Sequence, residues 1–285
     1  MIQKGSSDLR IGRHNTLRVV KMVDFGCYLD GGSEGEILMP SKYMAEGLQV
    51  GDEVRVFVYR DSEDRIVATT ETPLAEVGQM AYLEVKEVSG PGAFMDWGLV
   101  KDVLCPRGEQ RDPMVAGRKY VVYIYLDEAT GRVVATSKYA KFLDNVMPRY
   151  RTGDSAEAMV TDLTPMGYKL AVDDTFTGMI YNSDVYGAPL EVGQRMRVYI
   201  KKVRDDDKID LSLSPIGYAK VDSLSDKIMN ELEARGGYMA IGDKTSPEKI
   251  YEVFGCSKKS YKMTIGTLFR EGRIEILRDG IRKRG

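Results

Sequence analysis

Residues Asp24–Gly32 read DFGCYLDGG, and a similar pattern of a glycine inside an apolar, aromatic run returns twice along the chain. The second copy is GAFMDWG at Gly92–Gly98, and the third is GYKLAVD at Gly167–Asp173. Counted from the glycine that the apolar residues surround, successive copies lie 66 and 75 residues apart. Such spacing indicates several copies of one small domain.

Two further landmarks recur in the same order and at nearly the same spacing. A valine or alanine followed by glycine precedes a strand-like run at Gly51, Gly117 and Gly193. A basic residue opens an alternating strand at Arg65, Arg132 and Lys208. Three landmarks in a fixed order predict three copies of one domain, which occupy most of the 285 residues.

Each copy contains five short alternating segments with a longer connection after the third. In the first copy they are Thr16–Val23, Phe25–Asp30, Glu36–Met39, Val54–Tyr59 and Arg65–Thr70; in the second, Tyr82–Val88, Ala93–Trp97, Val103–Cys105, Tyr120–Leu126 and Arg132–Thr136. This number and order are typical of an OB-type barrel, which closes its sheet and leaves no strand edge. Residues Tyr139–Tyr150 are predicted to form a short helical connector that Pro148 ends.

From Asp222 the hydrophobic period changes to that of a helix, with Leu224, Ile228 and Leu232 on one face. A second helix is predicted after Ser246 and Pro247, and a third over 258–271 with Tyr261, Ile265 and Leu268 inward. Strands Arg273–Leu277 and Ile281–Lys283 follow, joined at Asp279-Gly280. This order predicts a winged helix-turn-helix.

The fold class is therefore mostly β with a C-terminal α+β domain: three tandem OB-fold, five-stranded barrels followed by a winged helix-turn-helix. The predicted domains are residues 1–73, residues 74–150 with the helical connector, residues 151–217 and residues 218–285.

Composition excludes several classes of protein. With 43% hydrophobic and 29% charged residues the chain resembles an ordinary globular protein. The longest apolar run, Tyr120–Leu126, is far too short to cross a bilayer, and the N-terminal residues lack the apolar core of a secretory signal. The three cysteines are widely spaced, which favours a reducing compartment over disulfides or a zinc site. We therefore expect a cytoplasmic protein without a membrane partner.

The net charge of −2 conceals an asymmetry. Residues 1–220 carry a net charge of −5, whereas residues 221–285 carry +3. A basic C-terminal region on an acidic chain indicates a polyanionic partner.

Aromatic side chains beside the glycine of each copy indicate a surface for unpaired bases. Phe25 and Tyr28 flank Gly26, and the second copy has Phe94 and Trp97, the only tryptophan. Rings on the outer face of a small barrel stack bases, while nearby lysine and arginine hold phosphates. The alternative is ordinary packing of sheet aromatics, which we favour for Trp97.

The run FGCYLD, the Gly-Asp that follows a valine, and the closing KIDLSLS at Lys208–Ser214 resemble the RNA-binding OB repeat of ribosomal protein S-one. In that family an aromatic before the glycine, an aromatic two residues after it, a histidine on the third strand and a basic residue on the fifth line the RNA face. The resemblance implies RNA-binding roles for Phe25, Tyr28, Arg65, Phe94, Arg132, Tyr181 and Lys208.

The chain departs from that pattern at several positions. Pro91 and Met166 replace the leading aromatic in the second and third copies, and Lys169 replaces the second aromatic in the third. At the position of the family's third-strand histidine, the three copies are assigned Met39, Cys105 and Tyr181, and of these only Tyr181 can stack on a base.

Three such repeats before a winged helix resemble the conserved virulence factor B family of bacteria. The resemblance covers nearly the whole chain and implies RNA binding and control of virulence-factor expression.

The predicted winged helix adds a basic surface. Phosphate contacts are expected from Lys259, Lys262, Arg270, Arg278, Arg282, Lys283 and Arg284. Such contacts position a protein on nucleic acid without reading its sequence. The alternative is that these basic residues contact only solvent.

No catalytic or metal-binding constellation is found. His14, the only histidine, has no cysteine or serine nearby, Asp205–Asp207 is expected to be a solvated turn, and Gly31–Gly35 lacks the lysine of a phosphate loop. The leading interpretation is a non-enzymatic, cofactor-free protein that binds single-stranded RNA through several modules and regulates expression. The alternatives are a transcription regulator whose winged helix binds duplex DNA, and an assembly or scaffold protein whose protein partners are not identified.

Overall fold

The computed structural model describes residues 9–185, 189–215 and 219–284. The chain divides into two compact units, Met1–Asp144 and Asn145–Gly285. Two β-barrels form the first unit; a third barrel and a helical domain form the second. No helix in the described part of the chain is long and apolar enough to cross a membrane.

All three barrels have one topology, in which the third and fifth strands are parallel neighbours. The first comprises β1 (Arg13–Val23), β2 (Gly26–Asp30), β3 (Glu36–Pro40), β4 (Glu53–Arg60) and β5 (Ile66–Thr69), in the closed order β1-β2-β3-β5-β4. The second comprises β6 (Met80–Val88), β7 (Gly92–Asp96), β8 (Val103–Pro106), β9 (Lys119–Asp127) and β10 (Arg132–Thr136). The third comprises β11 (Ser155–Thr164), β12 (Gly167–Val172), β13 (Phe176–Tyr181), β14 (Arg195–Val203) and β15 (Ile209–Ser212). The prediction of three OB-type barrels is confirmed.

A β-bulge interrupts the first strand of every barrel at the same place in the repeat. The pairing with the second strand shifts between Val19 and Lys21, between Val85 and Glu87, and between Val160 and Asp162. A bulge bends the strand and increases its twist. One long strand can therefore pair with β2 on one side and β4 on the other, which closes the barrel.

Glycine begins the second strand of each barrel because another strand's backbone passes very close to it. A Cβ atom added to Gly26 would lie 2.2 Å from the carbonyl oxygen of Met39, and one added to Gly92 would lie 2.2 Å from that of Cys105. The equivalent distance for Gly167 and Ile180 is 2.1 Å. These glycines also have φ angles of 152–158°, where other residues are strained. The repeated glycine is thus a requirement of barrel closure.

The C-terminal domain contains α1 (Ala219–Ala234), β16 (Tyr238–Met239), α2 (Pro247–Phe254), α3 (Lys258–Arg270), β17 (Ile274–Ile276) and β18 (Ile281–Lys283). The Ser246 hydroxyl accepts a hydrogen bond from the Lys249 amide at the start of α2, and Gly255 ends that helix with a φ of 64°. The predicted inward residues of α1 and α3 are buried in one core. The winged helix is therefore confirmed.

Sequence patterning missed one strand of this domain. β16 is only two residues long and pairs with β18, so the sheet order is β16-β18-β17. Gly280 allows this close approach, since a Cβ atom there would lie 2.2 Å from the Met239 carbonyl oxygen. The predicted domain boundary at residues 217 and 218 lies outside the described residues.

The predicted helical connector over Tyr139–Tyr150 is wrong. Only Tyr139–Lys141 forms a single 3₁₀ turn, and no α-helix follows before Pro148. The Phe142 ring stacks on Tyr123 with centroids 4.5 Å apart. Asn145 exchanges hydrogen bonds with the backbone of Thr177, at 2.6 and 2.8 Å. These interactions use side chains that a helix would direct elsewhere.

The close approach at Gly92 yields a first prediction. We expect Gly92→Ala to destabilise the chain by roughly 1–3 kcal/mol, because the new methyl group meets backbone that has no room to move. Urea unfolding followed by circular dichroism measures the effect.

Gly90→Ala is the matched control in the same turn. A Cβ atom at Gly90 meets no atom within 4 Å, so this variant should unfold at nearly the wild-type midpoint. Equal midpoints for the two variants would contradict the close-approach argument.

Candidate nucleic-acid interface

The turn into β2 places two rings on the outside of the first barrel. Cys27 and Leu29 point inward and are fully buried. Tyr28, between them, therefore points outward and is half-buried, and Phe25 is 58% exposed just before the strand. The prediction that these two rings face outward is confirmed.

A cation lies beside these rings. Lys21 on β1 pairs across the sheet with Tyr28, and its Nζ atom lies 5.6 Å from the centre of the tyrosine ring. Leu38 on β3 borders Tyr28 on the other side. We call Lys21, Phe25, Tyr28 and Leu38 the first-barrel platform. Sequence reasoning missed Lys21 because the bulge in β1 changes which residue lies opposite Tyr28.

The second barrel has an anion at the same place. Phe94 is half-buried on β7 and pairs with Glu87. Pro91 occupies the position of Phe25. Lys86, next to Glu87, makes ion pairs with Asp96 at 3.4 Å and with Asp102 at 3.0 Å. The ring of this barrel therefore has no equivalent of Lys21 beside it.

The third barrel lacks the central ring. Lys169 is exposed on β12 and pairs with Asp162, and Met166 at the position of Phe25 is 63% exposed. The Tyr181 hydroxyl accepts a hydrogen bond of 2.5 Å from Arg204, which also forms an ion pair with Asp210 at 2.9 Å. Arg204 is a further cation beside an aromatic residue that sequence reasoning did not identify.

The assigned histidine positions are wrong by one residue in two of the three barrels. Gly26 pairs with Pro40, Gly92 with Pro106 and Gly167 with Tyr181, so Pro40 and Pro106 are the equivalents of Tyr181. Met39 and Cys105 are completely buried inside their barrels. A slip of one residue along a strand moves a side chain to the opposite face.

The predicted cations of the fifth strand are exposed, but each is bound to a carboxylate. Arg65 contacts Asp61 at 2.7 Å and Glu63 at 2.9 Å. Lys208 contacts Asp206 at 2.7 Å. A phosphate at either position has to compete with these partners. Their role in RNA binding stays a prediction.

Arg132 contributes to the joint between the first two barrels. Its guanidinium forms an ion pair with Asp64 of the first barrel, with Nε and Oδ1 2.8 Å apart. Lys101 donates hydrogen bonds to the carbonyl oxygens of Arg60 and Asp61, at 2.9 and 2.7 Å. Burial lowers the pKa of Lys101. The tip of the β4–β5 hairpin is therefore held by side chains of the second barrel.

Trp97 and His14 complete this joint. Trp97 is only 2% exposed, its ring packs edge-on against Phe57, and its indole N–H donates to the Lys101 carbonyl at 2.5 Å. The interpretation of Trp97 as a packing residue is confirmed. His14 Nδ1 lies 2.6 Å from a carboxylate oxygen of Glu76. Both side chains hold the two barrels together.

The winged helix exposes its predicted basic residues, but only some lack acidic neighbours. Lys262 forms an ion pair with Asp243 at 3.8 Å, Lys283 with Glu233 at 2.5 Å and Arg284 with Glu275 at 3.4 Å. Arg270 bonds to Gly266 and Thr267 of its own helix. Within the described residues no ion pair is found for Lys259, Arg278 and Arg282. These three are the cations most available to phosphate.

Among the described residues, no group of three or more histidine, cysteine, aspartate or glutamate side chains is arranged to hold a metal ion. Asp206 is bound by Lys208, as expected of a turn.

Comparison with known proteins agrees with this architecture. A family model described as an S1 domain matches residues 11–71, and one described as a CvfB-like winged helix domain matches residues 226–282. The chain therefore contains an S1 domain and a CvfB-like winged helix domain, and it is similar to proteins of the conserved virulence factor B family. Conserved virulence factor B of Staphylococcus aureus (strain N315) is 26% identical over 238 residues, covering 80% of this chain and 78% of that protein. The YitL protein of Bacillus subtilis is 29% identical over 282 residues, covering 93% of this chain and 91% of that protein.

A crystal structure of a multidomain protein with nucleic acid binding domains from Streptococcus pneumoniae is also similar. It is 23% identical, with a TM-score of 0.41, covering 96% of this chain and 98% of that one. The S1 and winged-helix domains support nucleic-acid binding by this protein. The S1 model matches the barrel that carries the first-barrel platform.

The ion pair between the barrels yields a prediction about pH. Because the Arg132 guanidinium hydrogen-bonds to Asp64, the pKa of that carboxyl group lies below its usual value. A lowered pKa in the folded state stabilises the fold above the usual pKa, and this contribution disappears as the pH falls through the folded pKa. Arg132→Gln should therefore lower the melting temperature at neutral pH, and its difference from wild type should shrink below about pH 4.

Thermal melts between neutral and acidic pH test this expectation. Arg197→Gln is the control, since Arg197 forms an exposed pair with Glu157 within the third barrel. Arg197 makes a single contact of 3.3 Å with Glu157, whereas Arg132 makes two hydrogen bonds to Asp64 across the joint, so the control should melt closer to wild type. If the melting temperature of Arg132→Gln stays below that of wild type by the same amount across the pH range, the assigned role of the Asp64 pair is contradicted.

Proposed function

We propose that this protein binds single-stranded RNA through the first-barrel platform and regulates expression by binding, without catalysing a reaction. The observation that supports this most directly is Lys21 beside the Tyr28 ring, with Phe25 exposed next to it. Nucleic-acid binding agrees with the two domain families, and the choice of RNA and the regulatory role are the proposal.

The platform suits an unpaired base. Each base that stacks on a ring contributes about 1–3 kcal/mol, and any base can do so because each has a flat π face. The Lys21 ammonium lies close enough to the Tyr28 ring to attract it and is exposed to a phosphate on the same surface. A duplex hides its base faces in the stack, so the platform favours single strands.

The charge beside the central side chain favours RNA binding by the first barrel over the other two. The residues that pair with the central position of the platform are Lys21, Glu87 and Asp162 in the three barrels. Only the first carries the sign that attracts phosphate. We therefore assign the main base contact to the first barrel and weaker contacts to Phe94, Tyr181 and Lys208.

The winged helix adds a second, electrostatic interaction. Lys259, Arg278 and Arg282 are exposed and have no ion pair within the described part of the chain. Two weak modules on one chain raise each other's effective concentration, so together they bind one RNA more tightly than either alone.

Duplex DNA is the second candidate partner of the winged helix. α3 exposes Lys259, Lys262 and Arg270, as a helix that enters the major groove requires. Competition between a duplex and an unstructured RNA of equal length distinguishes the two, and preference for the duplex would overturn the RNA assignment.

Truncating the platform gives the sharpest test of the proposal. We expect Phe25→Ala and Tyr28→Leu each to weaken binding of an unstructured RNA by about 1–3 kcal/mol, because each removes one stacking surface. Fluorescence anisotropy of labelled RNA at fixed salt measures this weakening.

Tyr251→Ala is the matched control. Tyr251 is also an exposed aromatic residue, at 68%, but it lies between Glu248 and Glu252 on α2 and should not contact a polyanion. Unchanged RNA affinity in both platform variants would remove the barrel from the proposal and favour a scaffold role.

The basic residues of the winged helix predict how RNA affinity depends on salt concentration. Replacing Lys259, Arg278 and Arg282 by glutamine should weaken RNA binding and reduce the slope of log affinity against log salt by roughly 0.7 for each phosphate that is no longer neutralised. The comparison variant replaces Lys262, Lys283 and Arg284, which have acidic partners. Equal changes in slope for the two triple variants would contradict the assignment by ion pairing.

A further inference from the structure

A cleft of about 210 Å³ lies where the β4–β5 hairpin of the first barrel meets the outer face of the second. Its apolar wall includes Phe94, Pro91 and Leu104. Its rim carries Arg60 from the first barrel with Lys101 and Arg132 from the second. Both barrels belong to the same compact unit, so the cleft is built within one body.

The three cations retain hydrogen-bond donors for a ligand. Arg60 uses Nε on the Gly131 carbonyl at 3.1 Å and Nη1 on the Asp64 carbonyl at 2.8 Å. Arg132 uses Nε and Nη2 on the Asp64 carboxylate. A guanidinium has five N–H groups, so each arginine keeps donors beyond these hydrogen bonds. Lys101 directs two of its three N–H groups at carbonyl oxygens.

Charge in the cleft favours an anion. The lining contains three cations, and Asp102 is the carboxylate among the described lining residues. Asp102 is already bound by Lys86 at 3.0 Å. Asp64 shares the charge of Arg132, whereas Arg60 and Lys101 donate their hydrogen bonds to carbonyl oxygens and keep their full charge. Glu87 pairs with the ring residue of the second barrel, and Arg60 from the hairpin adds to Lys101 and Arg132 to give this ring positive surroundings.

We propose that this cleft binds one nucleotide unit, with its base against Phe94 and Pro91 and its phosphate at Arg60, Lys101 and Arg132. A flat ring next to a cationic rim is the chemistry that recognises a base joined to a phosphate. Pockets for drug-sized ligands measure about 300–1,000 Å³, so a cleft of 210 Å³ suits a single base. If the nucleotide is part of an RNA strand, the inference rests on the proposed function. A free nucleotide has the same base and phosphate and could occupy the same cleft.

The site is composite, which separates it from the first-barrel platform. Tyr59 and Arg60 come from β4, whereas Phe94 and Lys101 come from the second barrel. The second barrel alone would present Phe94 with Lys101 and Arg132 but without Arg60 and without the carbonyl oxygens that hold Lys101. The joint between the barrels therefore completes the site.

Trp97 provides a reporter within the cleft. It is the only tryptophan of the chain and is one of the residues that line the cleft. Its emission, excited where tyrosine does not absorb, should change saturably as the full-length protein is titrated with adenosine 5′-monophosphate. A short unstructured RNA is titrated in parallel: a response to the RNA identifies the nucleotide as part of a strand, and a response to the monophosphate alone identifies a free nucleotide.

Three variants test the assignment of residues. Phe94→Leu keeps the apolar volume but removes the ring, and it should weaken the response at least about fivefold. Glu87→Gln removes the anion beside the ring and should tighten binding by about two- to fivefold, a gain that an unfolded variant does not produce. Tyr251→Ala should leave the response to the monophosphate unchanged, because Tyr251 is an exposed ring that is not among the residues lining the cleft.

Three results would overturn the proposal. They are no change in Trp97 emission with either probe, an equal response in Phe94→Leu and wild type, and an equal response to inorganic phosphate, which would mean that only the anion binds. RNA binding that depends on Phe25 while Trp97 stays silent would reject the cleft and leave the proposed function standing. A Trp97 response to the monophosphate without any RNA binding would support the cleft and reject the proposed function.

Discussion

The interaction on which the barrels depend is the approach of the first residue of the second strand to a carbonyl group of the third strand. In all three barrels the glycine at this point would bring an added Cβ atom to 2.1–2.2 Å from that oxygen. The glycine therefore sets the start of the strand and, through strand alternation, directs Tyr28, Phe94 and Lys169 outward. The platform follows from this backbone constraint.

The three barrels share a backbone but differ in the chemistry that they present. Inward residues are constrained by packing, since the core of a small barrel leaves little free volume. Outward residues are not constrained in this way, so the position opposite the central side chain holds Lys21 in one barrel, Glu87 in the next and Asp162 in the third. Repetition of a fold therefore does not imply repetition of a binding site.

Pairing of charges explains why a basic residue is not automatically available for binding. Arg65 and Lys208 lie beside carboxylates of their own hairpins, and Arg132 lies beside Asp64 of another barrel. The joint between the first two barrels also changes the charge around Phe94. Where the hairpin of one barrel meets the face of the next, it adds Arg60 to Lys101 and Arg132 beside a ring that pairs with an anion.

The sequence by itself determined the number of barrels, the strand order and the winged helix, because the repeated glycines and the change in hydrophobic period are local signals. It also placed Phe25 and Tyr28 outside correctly, since alternation along a strand is local too. Only the tertiary structure decided which residues face one another. The β1 bulge brings Lys21 opposite Tyr28, and the strand register makes Pro40, instead of Met39, the equivalent of the histidine in the first barrel. At the joint between the barrels, Arg132 forms an ion pair with Asp64. These pairings join residues distant in sequence, and a shift of one residue along a strand reverses the face of each side chain, so periodicity alone does not encode them.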